Sequence, residues 1–456
     1  MTTLPVRLDR SRAEPLPAQL SGAIRDLVVD GTLTKGDRLP STRALATDLG
    51  VSRAVTEQAY DQLLAEGWLE ARRGSGTFVA SGGRLPAVVA APRRATPSSD
   101  LVRLDAGTPW LDPRHLAGWR RAWREVSAAP PPRGYPDPRG LPELRTALAE
   151  RLARTRGLVV DPDALLVTSG ATDGLRQFLA ALPPGDVAVE DPGYRAAVET
   201  VRTAGRGVVD LPALAPVTSL DGCAAAYVTP AHQHPLGRVM PAADRLTLLD
   251  TARRAGAVVV EDDYDSELRY DVAPVPALAA LDRSRVAYLG TAAKSVVPSL
   301  RIGWTVPTPG LLDDVVRRRT VTHDVPSWPA QRALLTLLRD GWLDKVVRTA
   351  RRVYAERAPR VAEALAPYAV PAGPMAGMYS TWLLPQASAL AARDAAAAAG
   401  FEVNLLAGYC RAADLTGLVI GFGGVTDDQL DRALEAITCG LSGAVRSSPV
   451  KTPESF

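Results

Sequence analysis

Beyond Asp105, five short apolar runs recur: Ala164–Thr168, Val187–Val189, Ala225–Val228, Ala257–Val260 and Val286–Leu289, with helical segments between them. Short apolar runs bounded by turn residues read as buried strands. Their alternation with helices restricts this part of the chain to an α/β domain on a largely parallel sheet. In such sheets ligands lie beyond the carboxyl ends of the strands. The residues that follow each run are therefore where chemistry is expected.

The first run is followed by Thr168-Ser169-Gly170-Ala171-Thr172-Asp173-Gly174, small residues opening a helix whose free amides suit a phosphate. The second leads to Glu190-Asp191-Pro192-Gly193-Tyr194, which brings an aromatic ring to the same edge. After the third come His232, Gln233 and His234; after the fourth, Glu261-Asp262-Asp263-Tyr264-Asp265; after the fifth, Thr291-Ala292-Ala293-Lys294. Lys294 stands among small and apolar neighbours in a chain whose positive charge is nearly all arginine. Such a setting lowers a lysine pKa, as Schiff-base chemistry needs. A phosphate cradle, an aromatic face, a carboxylate, a phenol and a lysine are the parts that hold pyridoxal 5′-phosphate (PLP). Each has a plainer reading: a turn, a packed aromatic, a solvated strand end, a lysine kept for solubility. Their co-occurrence at successive strand ends favours one site. His232 and His234 lack a convincing ligand spacing, so no metal is expected.

The first eighty residues have a different organisation. Leu20, Ile24, Leu27 and Val28 share one helical face and Gly31 ends that helix. Ser41 is placed to cap a second helix carrying Leu45 and Leu49, and Gly50 closes it. Ser52 is placed to cap a third, with Val55, Ala59 and Leu63 on its core stripe. Two short strands, Trp68–Arg72 and Thr77–Ala80, flank Arg73-Gly74-Ser75-Gly76. Helix, helix, turn, helix and hairpin make a winged helix-turn-helix. Its ten Arg and Lys balance ten Asp and Glu, so bulk charge does not point to nucleic acid. The placement of cations does: Arg43 and Arg53 lie in first turns of helices, and Arg72 and Arg73 flank the glycine-rich tip.

Residues 81–103 mix Gly, Pro, Ser and Ala without period and read as a linker, with Arg84, Arg93 and Arg94 as solvated spacers. The expected division is 1–80 for the head, 104–445 for the large domain and 446–456 for a disordered tail. The 456 residues, 46% of them hydrophobic, suffice for two or three domains. Three scattered cysteines, Cys223, Cys410 and Cys439, fit a reducing compartment. No apolar run resembles a signal peptide or membrane span, so a cytoplasmic, nucleoid-associated protein is expected.

Two resemblances sharpen these readings. Gly36-Asp37-Arg38-Leu39-Pro40-Ser41-Thr42-Arg43, Leu49-Gly50-Val51-Ser52-Arg53 and Arg73-Gly74-Ser75-Gly76-Thr77-Phe78-Val79 resemble the GntR family of DNA-binding domains, with Lys35 where a proline is common. That resemblance implies double-stranded DNA as partner, with Arg43, Ser52 and Arg53 at the phosphates and major groove and Arg73 and Gly74 at the wing. Tyr135-Pro136-Asp137-Pro138-Arg139-Gly140 with Leu144-Arg145, Thr168-Ser169-Gly170, the Glu261–Glu267 run, and Lys294 with Arg301 resemble the fold type I aminotransferases. The whole architecture resembles the MocR family of bacterial regulators. By that resemblance PLP is the cofactor, Lys294 forms the internal aldimine, Asp262 pairs with the pyridine nitrogen and Tyr264 reaches the ring hydroxyl. Tyr194 stacks, and Ala171, Thr172, Thr291 and Arg301 hold the phosphate. It also implies a homodimer in which each head packs on the partner's large domain, and an effector that is PLP or an amino compound. Control of vitamin B6 synthesis would suit PLP as the signal; an active aminotransferase with an accessory head is the alternative. Three positions depart from the pattern: Ala293 where a serine is frequent, His234 at the asparagine of Asn-Pro-x-Gly, and Val419 where relatives carry a carboxylate-gripping arginine. Arg411 is a candidate substitute for that arginine.

Overall fold

The structure is a computed structural model that describes residues 4–80, 100–273 and 275–447. The chain divides into two compact units, with the break between Ser98 and Ser99.

In the first unit, helices α1 (Leu16–Val29), α2 (Thr42–Leu49) and α3 (Arg53–Ala65) precede a hairpin of β1 (Leu69–Arg72) and β2 (Gly76–Val79). The Ser41 hydroxyl accepts the Ala44 amide at 3.2 Å and so satisfies one of the free donors at the start of α2. Gly50, at φ +62°, turns the chain between α2 and α3 in a region that costs other residues more. Leu20, Ile24, Leu45, Ala59, Tyr60, Leu63 and Val79 form the buried centre, and the Tyr60 hydroxyl donates to the Pro40 carbonyl at 2.9 Å. One sequence expectation is corrected here. Val55 is only half-buried; Thr56 is the buried residue of that turn, its hydroxyl satisfied by the carbonyls of Arg53 and Thr42. Ser52 is the N-cap residue of α3, as expected, with extended backbone geometry and no side-chain capping bond among the described residues.

The second unit carries two sheets. Strand β3 (Val102–Leu104) comes first, followed after two helices by β4 (Leu166–Thr168), β5 (Asp186–Asp191), β6 (Val208–Pro212), β7 (Cys223–Val228), β8 (Val258–Asp263), β9 (Val286–Thr291) and β10 (Gly303–Val306). Four more follow: β11 (Val370–Pro371), β12 (Tyr379–Leu383), β13 (Phe401–Leu405) and β14 (Gly417–Gly421). The larger sheet has the order β4-β10-β9-β8-β7-β5-β6. Its β9, β8, β7, β5 and β6 run parallel, while β10 is antiparallel to both β4 and β9. The smaller sheet, β11-β12-β14-β13-β3, is antiparallel except where β3 joins β13. Parallel strands covered on both faces need near-continuous apolar sequence, which is why β5, β7, β8 and β9 stand out as four of the five runs; the fifth run is β4, and the edge strand β6 has none.

Val102 and Arg103, assigned to the linker from sequence, pair with Phe401 and Glu402 instead. A three-residue strand has no period to read, and its partner lies at the far end of the chain. The helix Asp427–Ser447 runs into the segment assigned to the tail. Residues 81–99, with Arg84, Arg93 and Arg94, and residues 448–456 lie outside the described residues. Among the described residues, no helix is long and apolar enough to cross a membrane.

Candidate functional site

Two strands run further than their apolar stretches suggest. β5 continues through Glu190 and Asp191, and β8 through Glu261, Asp262 and Asp263, all five carboxylates buried. The acidic run after the fourth apolar stretch is therefore the end of the strand itself. Buried carboxylates need partners, and most have them. Glu261 accepts the amides of Leu278 (2.7 Å) and Ala279 (2.8 Å). Asp263 Oδ2 takes the Arg156 guanidinium and the Tyr288 hydroxyl, each at 2.5 Å. Asp262 Oδ2 accepts from the Tyr227 hydroxyl, a donor supplied by neighbouring β7. Asp262 Oδ1 is buried without a partner among the described residues, and Asp262 lines a cavity of roughly 640 Å³. An orphaned carboxylate oxygen is costly unless a ligand donor meets it.

Lys294, which follows β9, lines the same cavity. Its Nζ donates to the Gly107 carbonyl at 2.6 Å. Burial lowers the lysine pKa; Asp265, Asp105 and Asp262 oppose that in part. Burial likewise pushes Asp262 up to about 7, against the Tyr227 hydrogen bond and the Lys294 charge.

The phosphate-sized end is built from two turns. Gly170, at φ +107°, caps the helix Ala171–Ala181 without any side-chain cap, leaving the first amides, those of Ala171 and Thr172, free of an intrahelical partner. A methyl group at 170 would stand 3.5 Å from the Arg301 guanidinium. Arg301 itself adopts the left-handed conformation (φ +53°), rare for a residue with a side chain and a mark of functional sites. Thr291 lies on the wall, its hydroxyl accepting the Ala293 amide at 3.1 Å. Ala293 also lines the wall and offers no side-chain donor there.

Aromatic rings close the other side. Tyr194, the N-cap of the helix Arg195–Thr203, stands edge-on to His234 with ring centres 5.6 Å apart. His234 is ringed by Tyr194, Tyr264, Tyr379 and Tyr409 at 5.4–5.7 Å. Burial, with Lys294 as the next contribution, pushes its pKa down to about 3, so the imidazole is neutral. Tyr264 reaches the cavity with its hydroxyl bonded to the Tyr379 hydroxyl (2.8 Å) and the His232 carbonyl (3.0 Å). Lys294, Asp262, Tyr264, Tyr194, Ala171, Thr172, Thr291 and Arg301 thus meet on one cavity.

The substitute carboxylate grip does not materialise. Val419 is wholly buried in β14 beside Thr381 and Asn404. Arg411 is committed elsewhere, to Asp210 at 2.5 Å and to the Val189 carbonyl at 2.9 Å. Sequence reasoning also missed Arg195, which lines the cavity with its guanidinium over the Tyr409 ring (4.8 Å), and the pair Arg103–Glu402 at its mouth. Arg195 opens the helix after Tyr194, and Arg103 and Glu402 sit on β3 and β13, far apart in sequence, with no motif to collect them.

In the head unit, Arg43, Ser52, Arg53, Arg73 and Gly74 are all exposed. Arg53 holds Glu57 at 2.8 Å on the surface of α3. Arg72 is drawn onto Phe78 (4.5 Å) and Glu70 (2.5 Å), so Arg73 is the freer cation at the tip, beside Gly74 at φ +75°.

Asp262 carries a testable titration. A carboxylate whose folded pKa is raised contributes stability that is full below its unfolded value of 3.8 and is lost as pH rises through about 7. In the cofactor-free chain, Asp262→Asn should therefore flatten the decline in stability from pH 5 to pH 7 by an amount on the order of 2 kcal/mol. Thermal unfolding of both forms across that range checks it; identical pH profiles would show that Asp262 does not hold the proton.

The chain matches two family models: aminotransferase class I and II over residues 99–437, and bacterial regulatory proteins, gntR family, over residues 16–79. It is 34% identical over 455 residues to the HTH-type pyridoxine biosynthesis transcriptional regulator PdxR of Corynebacterium glutamicum, spanning 97% of this chain and 99% of that protein. With the probable rhizopine catabolism regulatory protein MocR of Rhizobium meliloti it shares 38% over 382 residues, 77% of each chain. Among solved structures it resembles an archaeal alanine:glyoxylate aminotransferase (TM-score 0.67, 23% identity, 75% of this chain and 91% of that one). It also resembles the aspartate aminotransferase of Thermus thermophilus with maleate (TM-score 0.65, 26% identity, 75% and 92%).

Proposed function

The chain belongs to the family that joins a GntR-type DNA-binding head to a class I and II aminotransferase domain, and on that premise we propose that it regulates transcription by sensing PLP or an amino compound. The observation that carries this reading is one cavity holding a buried lysine, an orphaned carboxylate oxygen and a capless helix start, in a chain that also carries a DNA-binding head.

PLP fits these residues. The Asp262 Oδ1 acceptor suits the protonated pyridine nitrogen, and the amides at Ala171 and Thr172, with Arg301 and Thr291, suit the phosphate. Tyr194 would lie against the ring, and Tyr264 would donate to the ring hydroxyl. Bound there, PLP supplies an aldehyde that captures amines, Lys294 first, and a ring that withdraws electrons. The chain's own residues lower the pKa of the lysine amine by burial and hold Asp262 aimed inward through Tyr227.

With Val419 in the core and Arg411 in an ion pair, neither position offers the cavity a carboxylate-gripping arginine. That favours a sensor over a turnover catalyst, and PLP itself as the signal. The similarity to PdxR supports control of vitamin B6 synthesis. An amino-acid effector is the second reading, favoured by Arg195 on the cavity wall with no carboxylate paired to it in the described residues. The protein is read as a cytoplasmic homodimer whose heads each pack on the partner's large domain, so that ligands binding its two arrangements with different affinity shift the heads on DNA. Footprinting the DNA upstream of its gene with and without PLP tests the proposal: protection that changes with PLP is expected. Protection indifferent to PLP, together with steady transamination of a keto acid, would instead identify an enzyme with an accessory head.

A further inference from the structure

Behind Tyr264 lies a buried polar network that none of the roles above uses. His232 Nδ1 is 2.8 Å from Asp265 Oδ2, and both side chains are 1% exposed. The Tyr264 hydroxyl is 3.2 Å from the same His232 nitrogen, 3.0 Å from the His232 carbonyl and 2.8 Å from the Tyr379 hydroxyl. The smaller sheet closes over this group: Tyr379 begins β12, and a methyl at Gly377 would stand 3.0 Å from both Asp265 Oδ2 and His232 Cε1.

The protons can be assigned. The Asp265 carboxylate can only accept, so it fixes the proton on His232 Nδ1 and removes that nitrogen as an acceptor for Tyr264. The Tyr264 proton is left with the His232 carbonyl, the Tyr379 oxygen or a ligand atom in the cavity. Tyr379 hydroxyl has Tyr264 as its one hydrogen-bond partner among the described residues, so it is free to donate to the Tyr264 oxygen. Burial, with Asp265 next, raises the pKa of both phenols and keeps them protonated. The other ionisable groups facing this point are Asp262 from β8, neutral His234 from the loop after β7, Lys294 from the loop after β9, Asp105 and Tyr409.

We propose that Asp265, His232 and Tyr379 are positioning residues for the Tyr264 phenol: they hold its oxygen as an acceptor from Tyr379, so that its proton is delivered to an oxygen bound in the cavity. This rests on the reading of the cavity as a PLP site. A hydroxyl that accepts one bond becomes a stronger donor in the next. A stronger bond from Tyr264 stabilises the deprotonated ring oxygen and lowers the pH at which the bound chromophore changes form.

Spectrophotometric pH titration of the PLP-loaded full chain tests this. Tyr379→Phe, which removes one oxygen, should raise the midpoint of the visible absorbance change by about half a pH unit or more. His232→Gln should move it in the same direction. In a Tyr264→Phe background, Tyr379→Phe should have no further effect, as two residues acting through one group require. An unmoved midpoint in Tyr379→Phe, or an equal shift with Tyr264 already gone, would overturn the proposal. A wild-type chain that takes up no chromophore would overturn the PLP reading and this inference with it, whereas a normal band with an unmoved midpoint would overturn the inference alone.

Discussion

Lys294→Ala is expected to yield a folded chain that no longer carries PLP through gel filtration and shows no visible absorbance band from a lysine-bound chromophore. Lys294 is the lysine that lines the cavity, and burial lowers its pKa, so the amine is more available to an aldehyde than a surface lysine. The phosphate cradle at Gly170–Thr172 and Arg301 does not involve it, so some non-covalent affinity should remain. Loss of the covalent link should weaken retention on the order of 100-fold or more, equivalent to about 2.7 kcal/mol. Absorbance scans and dialysis of the two proteins, loaded side by side, measure both effects. A band of unchanged position and intensity in the alanine form would remove Lys294 from the site.

The second large effect belongs to the head. Arg43→Ala combined with Arg53→Ala should weaken operator binding roughly 10- to 100-fold and reduce the salt dependence by about two phosphate contacts. Arg43 lies in the first turn of α2 and Arg53 in the first turn of α3, where the helix dipole already favours an anion. The Arg53–Glu57 pair does not alter this expectation: both side chains are well exposed, and such a pair is worth about 0–1 kcal/mol, less than a phosphate contact. Because both arginines are exposed, folding should be unaffected, which circular dichroism checks. Binding to the upstream DNA with an unchanged salt slope would end the assignment of these helix starts to the phosphate backbone.

What could be read in advance followed the physics of each element. Four of the five parallel strands, β5, β7, β8 and β9, were legible because burial on both faces demands unbroken apolar sequence; β6, at the sheet edge with Val209 and Asp210 exposed, escaped that reading. β10 was not legible either, since Gly303–Val306 is four residues long and owes its place to antiparallel pairing with β4 and β9. The acidic ends of β5 and β8 were read as following the strands because carboxylates disfavour burial. Those of β8 are met by Arg156, Tyr227, Tyr288 and the amides of Leu278 and Ala279, and those of β5 by Thr229 and the amides of Arg411, Ala412 and Ala413, all converging from elsewhere.

The sequence alone determined the two-part organisation, the parallel sheet, the head's helix order and the identity of the residues at the strand ends, because each depends on local periodicity, capping and turn chemistry. Only the tertiary structure decided that Asp262 keeps one oxygen unpartnered, that Arg411 is tied to Asp210, and that Tyr379 and Gly377 close over Tyr264 and the His232–Asp265 pair. Those outcomes depend on hydrogen-bond partners brought together from distant strands and on the burial that makes every unmet donor or acceptor costly, and no local pattern records either.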